Sequence, residues 1–443
     1  MTDLDQVLRS KGATMKALLD AASGRGNLNA DDDQQLGDDQ PDPVVMQQLV
    51  QQLDKSGEPT GQAKSTRGNL HKIMSGDRRL KGKLWENLFT GTLQFDDRDY
   101  TDTDDTKIAL WVDKAYNIRY SDAVVAGIAK LVGEDNGRNP LQEWLGSLKW
   151  DGVKRTGSWI VEATGCKDTK LHRMMGHKWL IQAIARAMQP GVKADCVLIL
   201  IGKQGARKSS LLAKLATRDY FSDTPLDIGS ANAYTQIQRA WIYEVAELDS
   251  VRRSANSATK AFISAQEDTY RPAYGRRAVT IKRHTVFAGT TNDMQFMNDS
   301  TGSRRYWPVQ VGEIDMKWVA QNRDQLWAEA IVEYNSGVNW WLEQEWEEVR
   351  EVESGHYQQE DPWHEVVRSW LTTSFGEFTI RHVMEDALKL DKHQMSRIAE
   401  MRTADVLRAL GCSRKRKRQG SHRVYAWTKG NIVTLHKTGD NDE

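Results

Sequence analysis

The sequence predicts an α/β fold in which a parallel β-sheet is preceded by a helical region and followed by a smaller C-terminal unit. Continuous apolar segments predict the sheet, because strands buried on both faces carry apolar residues at every position. The first, residues 196–201, is apolar throughout, and two largely apolar ones follow at residues 240–244 and 285–289. Helical stretches separate them, which is typical of parallel strands joined by crossover helices.

The composition narrows the class of protein. The chain has 443 residues, with 61 lysines and arginines, 61 aspartates and glutamates, and three cysteines. Its longest apolar run, residues 196–201, falls far short of the roughly 20 residues of a membrane-spanning helix, and the N-terminus has no hydrophobic signal core. The three widely spaced cysteines form neither a disulfide framework nor a zinc motif. We expect a multidomain cytoplasmic protein without a membrane segment.

Charge and helix-breaking residues divide the chain into four predicted regions. Residues 1–60 hold eleven acidic and five basic side chains, and residues 23–65 offer little apolar surface to offset chain ordering. A helical stretch farther along stops at Pro190 and Gly191. The predicted regions are a flexible acidic tail or linker (1–67), a helical N-terminal domain (68–189), the sheet domain (190–345) and the C-terminal unit (346–443).

A glycine-containing loop follows the first predicted strand and leads into an apolar helix. A nucleoside triphosphate needs N–H groups at a helix N-terminus, a lysine that reaches its β- and γ-phosphates, and a hydroxyl group on Mg²⁺. Lys208 and Ser209 supply the last two groups. Arg207 stands where such a loop usually has glycine, so an ordinary turn is the alternative. The predicted nucleotide-binding residues are Gly202, Gln204, Gly205, Arg207, Lys208, Ser209 and Ser210.

Polar residues follow the second and third predicted strands. Glu244 ends the second strand and Glu247 follows it, where a phosphoryl-transfer enzyme holds Mg²⁺ and the attacking water. Asn292 follows the third strand, where an amide can orient water or the γ-phosphate. Each has a simpler alternative: exposed glutamates after a strand, and an asparagine in a turn.

Arg304 and Arg305 follow a glycine-containing turn. Adjacent arginines usually form a surface ion-pair patch. The alternative is an arginine finger, which enters the nucleotide site of a neighbouring subunit and stabilises transition-state charge. That role requires an oligomer.

Several short sequence motifs resemble those of the virulence-associated protein E family. Their order and spacing over roughly residues 68–340 match as well. The members of this family are phage- and satellite-encoded ATPases related to superfamily 3 helicases within the AAA+ class. Each motif alone is weak, but chance agreement of the whole set is improbable. The motifs are WDG (150–152), RAMQPG (186–191), LIGKQG (200–205), EVAEL (244–248), KAFIS (260–264), DTYRPAYGR (268–276), GTTN (289–292) and GSRRYWP (302–308).

This resemblance implies an AAA+ P-loop ATPase core that uses ATP and Mg²⁺. It also implies a homo-oligomer, expected to be a hexameric ring, that acts in replication of phage or mobile-element DNA in a bacterial host. Carried over by position, the roles are Lys208 and Ser209 as the phosphate-loop pair, Ser209 and Glu244 on the metal, Glu247 near the attacking water, Asn292 as sensor, and Arg304 or Arg305 as finger.

A basic segment lies between the second and third predicted strands and reads as a hairpin. Ring helicases of the resembled class use a hairpin here to grip DNA in the central channel, where phosphate contacts give sequence-independent affinity. The alternative is a solvated loop whose arginines pair with Glu267 and Asp268. The predicted DNA contacts are Arg271, Tyr274, Arg276, Arg277 and Lys282, and Arg283 flanks them.

The C-terminal unit contains two predicted helices, at about residues 378–388 and 401–411, followed by a basic run and a possible β-wing at 423–427. This order resembles a winged helix, whose recognition helix enters the major groove. The basic run consists of Arg414, Lys415, Arg416, Lys417 and Arg418. Specific duplex recognition, a general phosphate clamp and a merely solvated charge run are the alternatives.

Two functions follow from these observations. The first is an ATP-dependent oligomeric helicase or translocase on DNA. The second is a DNA-binding or regulatory protein in which Arg207 has impaired hydrolysis and the fold serves assembly or inhibition of a partner.

Overall fold

The structure is a computed structural model that describes residues 40–228, 230–246, 256–271, 277–294, 296, 303–354, 357, 361–374, 376–419 and 422–429. Its elements form an N-terminal group, a central group around a parallel sheet, and a C-terminal group, each with its own buried apolar side chains. Within these residues, no helix combines the length and the apolar character needed to cross a membrane.

The N-terminal group combines helices with two small antiparallel sheets, β1–β2 and β3–β4–β5. Leu70, Ile73, Val112 and Ala129 are among the side chains of its core. Its elements are α1 (Pro43–Gln48), β1 (Gln51–Leu53), β2 (Pro59–Ala63), α2 (Arg67–Gly76), β3 (Leu84–Asn87), β4 (Thr92–Phe95), β5 (Arg98–Asp99), α3 (Asp102–Tyr116) and α4 (Asp122–Asp135).

The prediction of a flexible tail up to residue 67 is wrong for residues 40–67, which form α1 and the β1–β2 hairpin. Val45, Leu49 and Ala63 are buried in the core of the N-terminal group. The buried Asn69 side chain accepts from the backbone N–H of Val50 (2.9 Å) and donates to its carbonyl (2.8 Å). A few apolar anchors and a satisfied amide therefore order a segment whose composition is mostly polar. Residues 1–39 lie outside the described residues.

The central group contains the elements predicted to carry chemistry. They are α5 (Pro140–Ser147), α6 (Trp159–Thr164), α7 (Lys170–Met188), β6 (Val197–Ile201), α8 (Lys208–Ala216), β7 (Phe221–Ser222), α9 (Ala231–Ile237), β8 (Ile242–Ala246), α10 (Asn256–Ser264), β9 (Glu267–Tyr270), β10 (Val279–Lys282), β11 (Val286–Thr291), β12 (Tyr306–Gln310), α11 (Met316–Asn335) and α12 (Gln344–Ser354).

The main sheet of the described residues has five parallel strands in the order β12–β6–β11–β8–β7. This confirms the predicted parallel sheet, and the three apolar segments are β6, β8 and β11. Every residue of β6 is buried, with Leu198 and Leu200 in one apolar cluster and Val197, Ile199 and Ile201 in the other. The two clusters are the two faces of the sheet, because alternate residues of a strand point in opposite directions.

Helices α5, α6 and α7 pack on the sheet, so the predicted boundary of the N-terminal domain at residue 189 is wrong for residues 140–188. Their buried side chains share one cluster with those of β6, α8 and α11. The Trp179 indole donates to the carbonyl of Phe287 (3.1 Å), and the Trp241 indole donates to that of Ala183 (2.9 Å). The sequence shows that α7 is apolar, but a helical pattern does not say which element buries it.

The C-terminal group contains α13 (Pro362–Thr373), α14 (Ile380–His382), a π-helical turn (Val383–Ala387), α15 (Arg397–Ala409), β13 (Ser413–Gln419) and β14 (His422–Thr428). Strands β13 and β14 form an antiparallel ribbon. Phe378 bridges to Trp427 through two backbone hydrogen bonds of 3.1 and 2.7 Å. Val367, Leu407 and Trp427 are buried in the core beneath the ribbon. Helices followed by a basic two-stranded ribbon are therefore present where the sequence predicts them.

Candidate functional site

The loop between β6 and α8 requires glycine at two positions for different reasons. A Cβ atom on Gly202 would lie 2.7 Å from Cγ2 of Val311, so only glycine fits beside the end of β12. Gly205 has a φ of +81°, a conformation that side chains disfavour. The loop can therefore turn sharply from the end of a buried strand into the N-terminus of α8, whose free N–H groups attract anions.

Arg207 adopts a left-handed backbone conformation, which glycine adopts more readily than any other residue. Its φ and ψ are 63° and 26°, in the left-handed region, and it is the N-cap of α8. Its carbonyl accepts a hydrogen bond from the N–H of Leu211 (2.9 Å), and its side chain is exposed. A non-glycine residue in this region costs roughly 1–2 kcal/mol. The loop thus keeps its shape at the expense of local strain.

Lys208 folds its side chain back over the loop. The ammonium group donates to the carbonyls of Gly202 (2.7 Å) and Lys203 (3.0 Å) and to Oδ1 of Asn292 (2.9 Å). Burial lowers the pKa of Lys208, and the nearby carboxylate of Glu244 acts in the opposite direction. The structure therefore brings the predicted lysine and the predicted sensor asparagine together. Gln204 and Ser210 are exposed.

The prediction that Glu244 ends its strand is wrong, because β8 continues to Ala246. Glu244 projects from β8 toward α8 and β11, and only 1% of it is exposed. Its Oε1 accepts from the hydroxyls of Ser209 (2.7 Å) and Thr290 (2.5 Å). Burial raises the pKa of Glu244, and the two hydroxyl hydrogen bonds oppose this increase. Its Oε2 is buried and has no hydrogen-bond partner among the described residues.

Thr290 belongs to the site, although it is not among the residues predicted from the sequence. Glu244 pairs with Ala288 in the β8–β11 ladder, so Thr290, two residues farther along β11, lies on the same face as Glu244. The sequence feature that points to Thr290 is the polar motif GTTN (289–292) at the end of an otherwise apolar strand.

The surroundings of Glu244 fit a hard divalent cation. Mg²⁺ binds oxygen ligands and usually retains several waters, so it needs only one or two protein carboxylates. The orphaned Oε2 of Glu244 and the hydroxyl of Ser209 are oxygen ligands of this kind. No larger group of His, Cys, Asp or Glu side chains suited to a metal occurs in the described part of the chain. Glu247 lies outside the described residues.

Arg304 and Arg305 lie at the amino-terminal end of the parallel strands, and the phosphate loop lies at their carboxyl-terminal end. They precede β12, whose first residue Tyr306 pairs with the first residue of β6, whereas the loop follows the last residue of β6. The two ends of β6 are four residues apart, which corresponds to a distance of about 13 Å along the strand. Arg304 is exposed, and Nε of Arg305 donates to the hydroxyl of Ser264 (2.9 Å). The topology therefore does not bring either arginine to Lys208 of the same chain.

The predicted basic hairpin is present as β9 and β10, which pair antiparallel from Tyr270–Val279 to Glu267–Lys282. Arg271, Arg277 and Lys282 are exposed. Tyr274 and Arg276 lie outside the described residues.

Arg283, by contrast, is buried and is no candidate for DNA contact. Its guanidinium forms an ion pair with the buried carboxylate of Asp268. It also lies 4.7 Å from the ring centroid of Phe262. The alternative in which hairpin arginines pair with acidic residues therefore applies to this residue.

The C-terminal basic run lies on β13. Arg414, Lys415 and Arg416 are exposed, and the guanidinium carbon of Arg414 is 3.9 Å from the ring centroid of Tyr425. Lys417 and Arg418 are in the same strand, and their side chains lie outside the described set.

Comparison with known proteins gives one family and several solved structures. Residues 145–359 match the Virulence-associated protein E-like domain. The apo structure of the NrS-1 C-terminal region is similar over 78% of this chain and 96% of that one, with 13% identity and a TM-score of 0.41. Its A-form apo structure covers 65% and 78%, with 14% identity and a TM-score of 0.34.

No curated protein matches the chain. The family match is independent of these structures, and it spans the parallel sheet, the phosphate loop, Glu244, Asn292 and the paired arginines. This match confirms the resemblance predicted from the sequence: over residues 145–359 the chain is similar to the Virulence-associated protein E-like domain.

Proposed function

We propose that this protein is a P-loop ATPase of the AAA+, superfamily 3 type that drives translocation or unwinding of DNA during replication of a phage or mobile element. One observation carries the proposal. Lys208 and Ser209 of α8, Glu244 of β8 and Asn292, which follows β11, are joined by hydrogen bonds close to the carboxyl ends of the parallel strands. Ligands of open α/β sheets bind at this edge.

Each residue has a task that follows from its geometry. The loop N–H groups and the N-terminus of α8 receive the phosphates of ATP, and Lys208 exchanges carbonyl contacts for phosphate oxygens. Ser209 and Glu244 would hold Mg²⁺, which when bound neutralises phosphate charge. Asn292 donates or accepts at the γ-phosphate or at the attacking water.

The paired arginines support an oligomer, expected to be a hexameric ring. Arg304 and Arg305 lie at the end of the strands that is away from the phosphate loop of their own subunit. In the proposed oligomer they therefore act on the nucleotide site of a neighbouring subunit. Arg304 is the exposed member of the pair and is the proposed finger. Arg305, which is bonded to Ser264, orients the turn that carries it.

DNA is the proposed partner at two places. Arg277 and Lys282 expose cations on the β9–β10 hairpin, which we assign to single-stranded DNA in the channel. The C-terminal group is proposed to be a winged helix, in which α14 and α15 precede the β13–β14 ribbon and Phe378 forms a single bridge to its second strand.

A second candidate is a hydrolysis-impaired DNA-binding or regulatory protein. The observation that favours it is the positive φ of Arg207, because strain beside Lys208 weakens a loop that must hold phosphates closely.

The deciding experiment is phosphate release by the purified full chain with ATP and Mg²⁺, with and without single-stranded DNA. The motor predicts turnover that DNA stimulates. Tight ATP binding without turnover would favour the second candidate, and neither binding nor turnover would exclude the motor.

A further inference from the structure

The β13–β14 ribbon concentrates positive charge more than any comparable part of the C-terminal group. Residues 413–429 contain seven lysines and arginines and no acidic residue. Arg414, Lys415 and Arg416 are exposed and have no acidic partner among the described residues. Unpaired cations on a surface are free to exchange their counterions for phosphates.

These cations point to both sides of the ribbon. Successive residues of a strand alternate between faces, so Arg414 and Arg416 share one face and Lys415 lies on the other. Trp427, which pairs with Arg414, packs the first face on the core at that end of the ribbon, but Arg414 and Arg416 themselves remain exposed. The ribbon therefore presents cations on both faces, which suits a site with phosphates on both sides. The major groove of duplex DNA is such a site, because it is about 12 Å wide and admits a two-stranded ribbon.

The ribbon is also anchored and partly preorganised. Trp427 of β14 is buried in the C-terminal core, and its backbone is bonded to Phe378. Tyr425, opposite Arg416 and 45% exposed, lies beneath the guanidinium of Arg414. Stacking on an aromatic ring restricts the arginine before it binds, which reduces the ordering cost on association.

Helix α15, the element expected to enter the groove in a winged helix, has a different surface. Arg402 is held by both oxygens of Asp361 (2.8 and 2.9 Å) and stacks on Trp363. Arg408 is paired with Asp405 on the same helix. Two of the three arginines of α15 are therefore paired with carboxylates, and the third, Arg397, is exposed at the first residue of the helix.

The outer face of α15 is moreover apolar and partly acidic. Ile398 and Met401 are 79% and 61% exposed, and Glu400 is exposed between them. A face of this kind gains little from contact with a phosphate-lined groove.

We infer that the C-terminal group binds duplex DNA through the β13–β14 ribbon, which lies in the groove and contacts phosphates on both sides, and that α15 does not enter the groove. This inference rests on the proposed function only in that DNA is the partner.

The test uses the full chain without nucleotide and a fluorescent duplex of random sequence, titrated at several salt concentrations. The ribbon variant is Arg414→Ala with Lys415→Ala and Arg416→Ala. The matched helix variant is Arg397→Ala with Ile398→Ala and Met401→Ala, which also changes three exposed residues. Thermal melting of each variant controls for folding.

We expect the ribbon variant to lose about 100-fold in duplex affinity near 0.1 M salt, with the slope of log K against log[salt] reduced by about 2–3. The helix variant should stay within about threefold of the parent. A third variant, Arg414→Lys with Arg416→Lys, should retain the parent slope, because phosphate contact needs the charge and not the guanidinium fork.

An equal or larger loss in the helix variant would overturn the inference, as would parental affinity in the ribbon variant. ATP turnover of the parent is measured separately. A chain without turnover whose duplex binding depends on the ribbon would refute the motor and leave this inference intact. A chain that hydrolyses ATP but does not bind duplex DNA would support the motor and overturn this inference.

Discussion

Lys208 and Asn292 are joined by a 2.9 Å hydrogen bond from Nζ to Oδ1, although 84 residues separate them in the chain. The bond links the loop after β6 to the end of β11, an adjacent strand of the sheet. A γ-phosphate that binds Lys208 would therefore compete with Asn292, the proposed sensor, for the lysine ammonium group. Removal of the lysine breaks this link as well as the phosphate contact.

Lys208→Ala should abolish ATP hydrolysis and weaken ATP binding, because it removes the buried cation of the loop. Lys214→Ala, an exposed lysine on the same helix, is the matched control and should retain parental turnover. Phosphate release and equilibrium binding of a fluorescent ATP analogue measure both effects. Parental turnover in the Lys208 variant would rule out the phosphate-loop assignment.

Glu244→Gln should abolish turnover and at the same time change how stability depends on pH. Burial raises the pKa of Glu244 above its ordinary 4.5, so the folded parent holds this proton more tightly than the unfolded chain does. The parent therefore loses stability as pH rises from about 4.5 through the raised pKa, and the glutamine variant lacks this loss.

The melting temperature of the Glu244 variant minus that of the parent should consequently increase between pH 4.5 and neutral pH. Melting curves without Mg²⁺ or nucleotide measure it. A difference that stays constant over this range would contradict burial of an ionised carboxylate at this position.

Arg304 should act in trans. Lys208→Ala and the double variant Arg304→Ala with Arg305→Ala are each expected to be inactive alone. Mixed, they should recover part of the activity, because some interfaces combine an intact loop with an intact finger. Mixed oligomers that show no recovery would exclude action between subunits. Arg304→Ala alone should cost about 10³-fold or more in turnover, and Arg305→Ala, whose side chain is bonded to Ser264, should cost less.

Neighbouring cations of the β9–β10 hairpin should behave in opposite ways. Arg277→Ala with Lys282→Ala should weaken binding of single-stranded DNA and lower its salt slope by about one per residue, with little effect on stability. Arg283→Met should instead lower the free energy of unfolding by about 3–5 kcal/mol, since it strands the buried Asp268 carboxylate. Denaturant unfolding and salt-dependent titrations separate the two effects. An unchanged salt slope in the first variant would move the DNA contact elsewhere.

Arg207→Gly should raise ATP affinity, turnover or both. Arginine occupies a left-handed conformation that glycine adopts without strain, so the substitution relieves roughly 1–2 kcal/mol while the loop keeps its shape. The dissociation constant of ATP and the turnover of variant and parent decide the matter. Equal or weaker binding with equal or slower turnover would mean that the exposed guanidinium assists the phosphates.

The sequence by itself determined the parallel sheet and the convergence of its polar ends. Apolar runs identify β6, β8 and β11 because both faces of these strands are buried. Once the strands are parallel, their carboxyl ends share one edge, so Lys208, Glu244 and Asn292 must approach each other.

Only the tertiary structure decided which neighbours each residue has. Hydrophobic periodicity shows that a residue is buried, but not which residues bury it. The sequence therefore does not predict that α7 packs on the sheet, that residues 40–67 are folded, or that Thr290 donates a hydrogen bond to Glu244. The same holds for Lys282 and Arg283, adjacent cations of which one is exposed and the other is neutralised by Asp268. Their different fates depend on long-range packing, which local residue patterns do not encode.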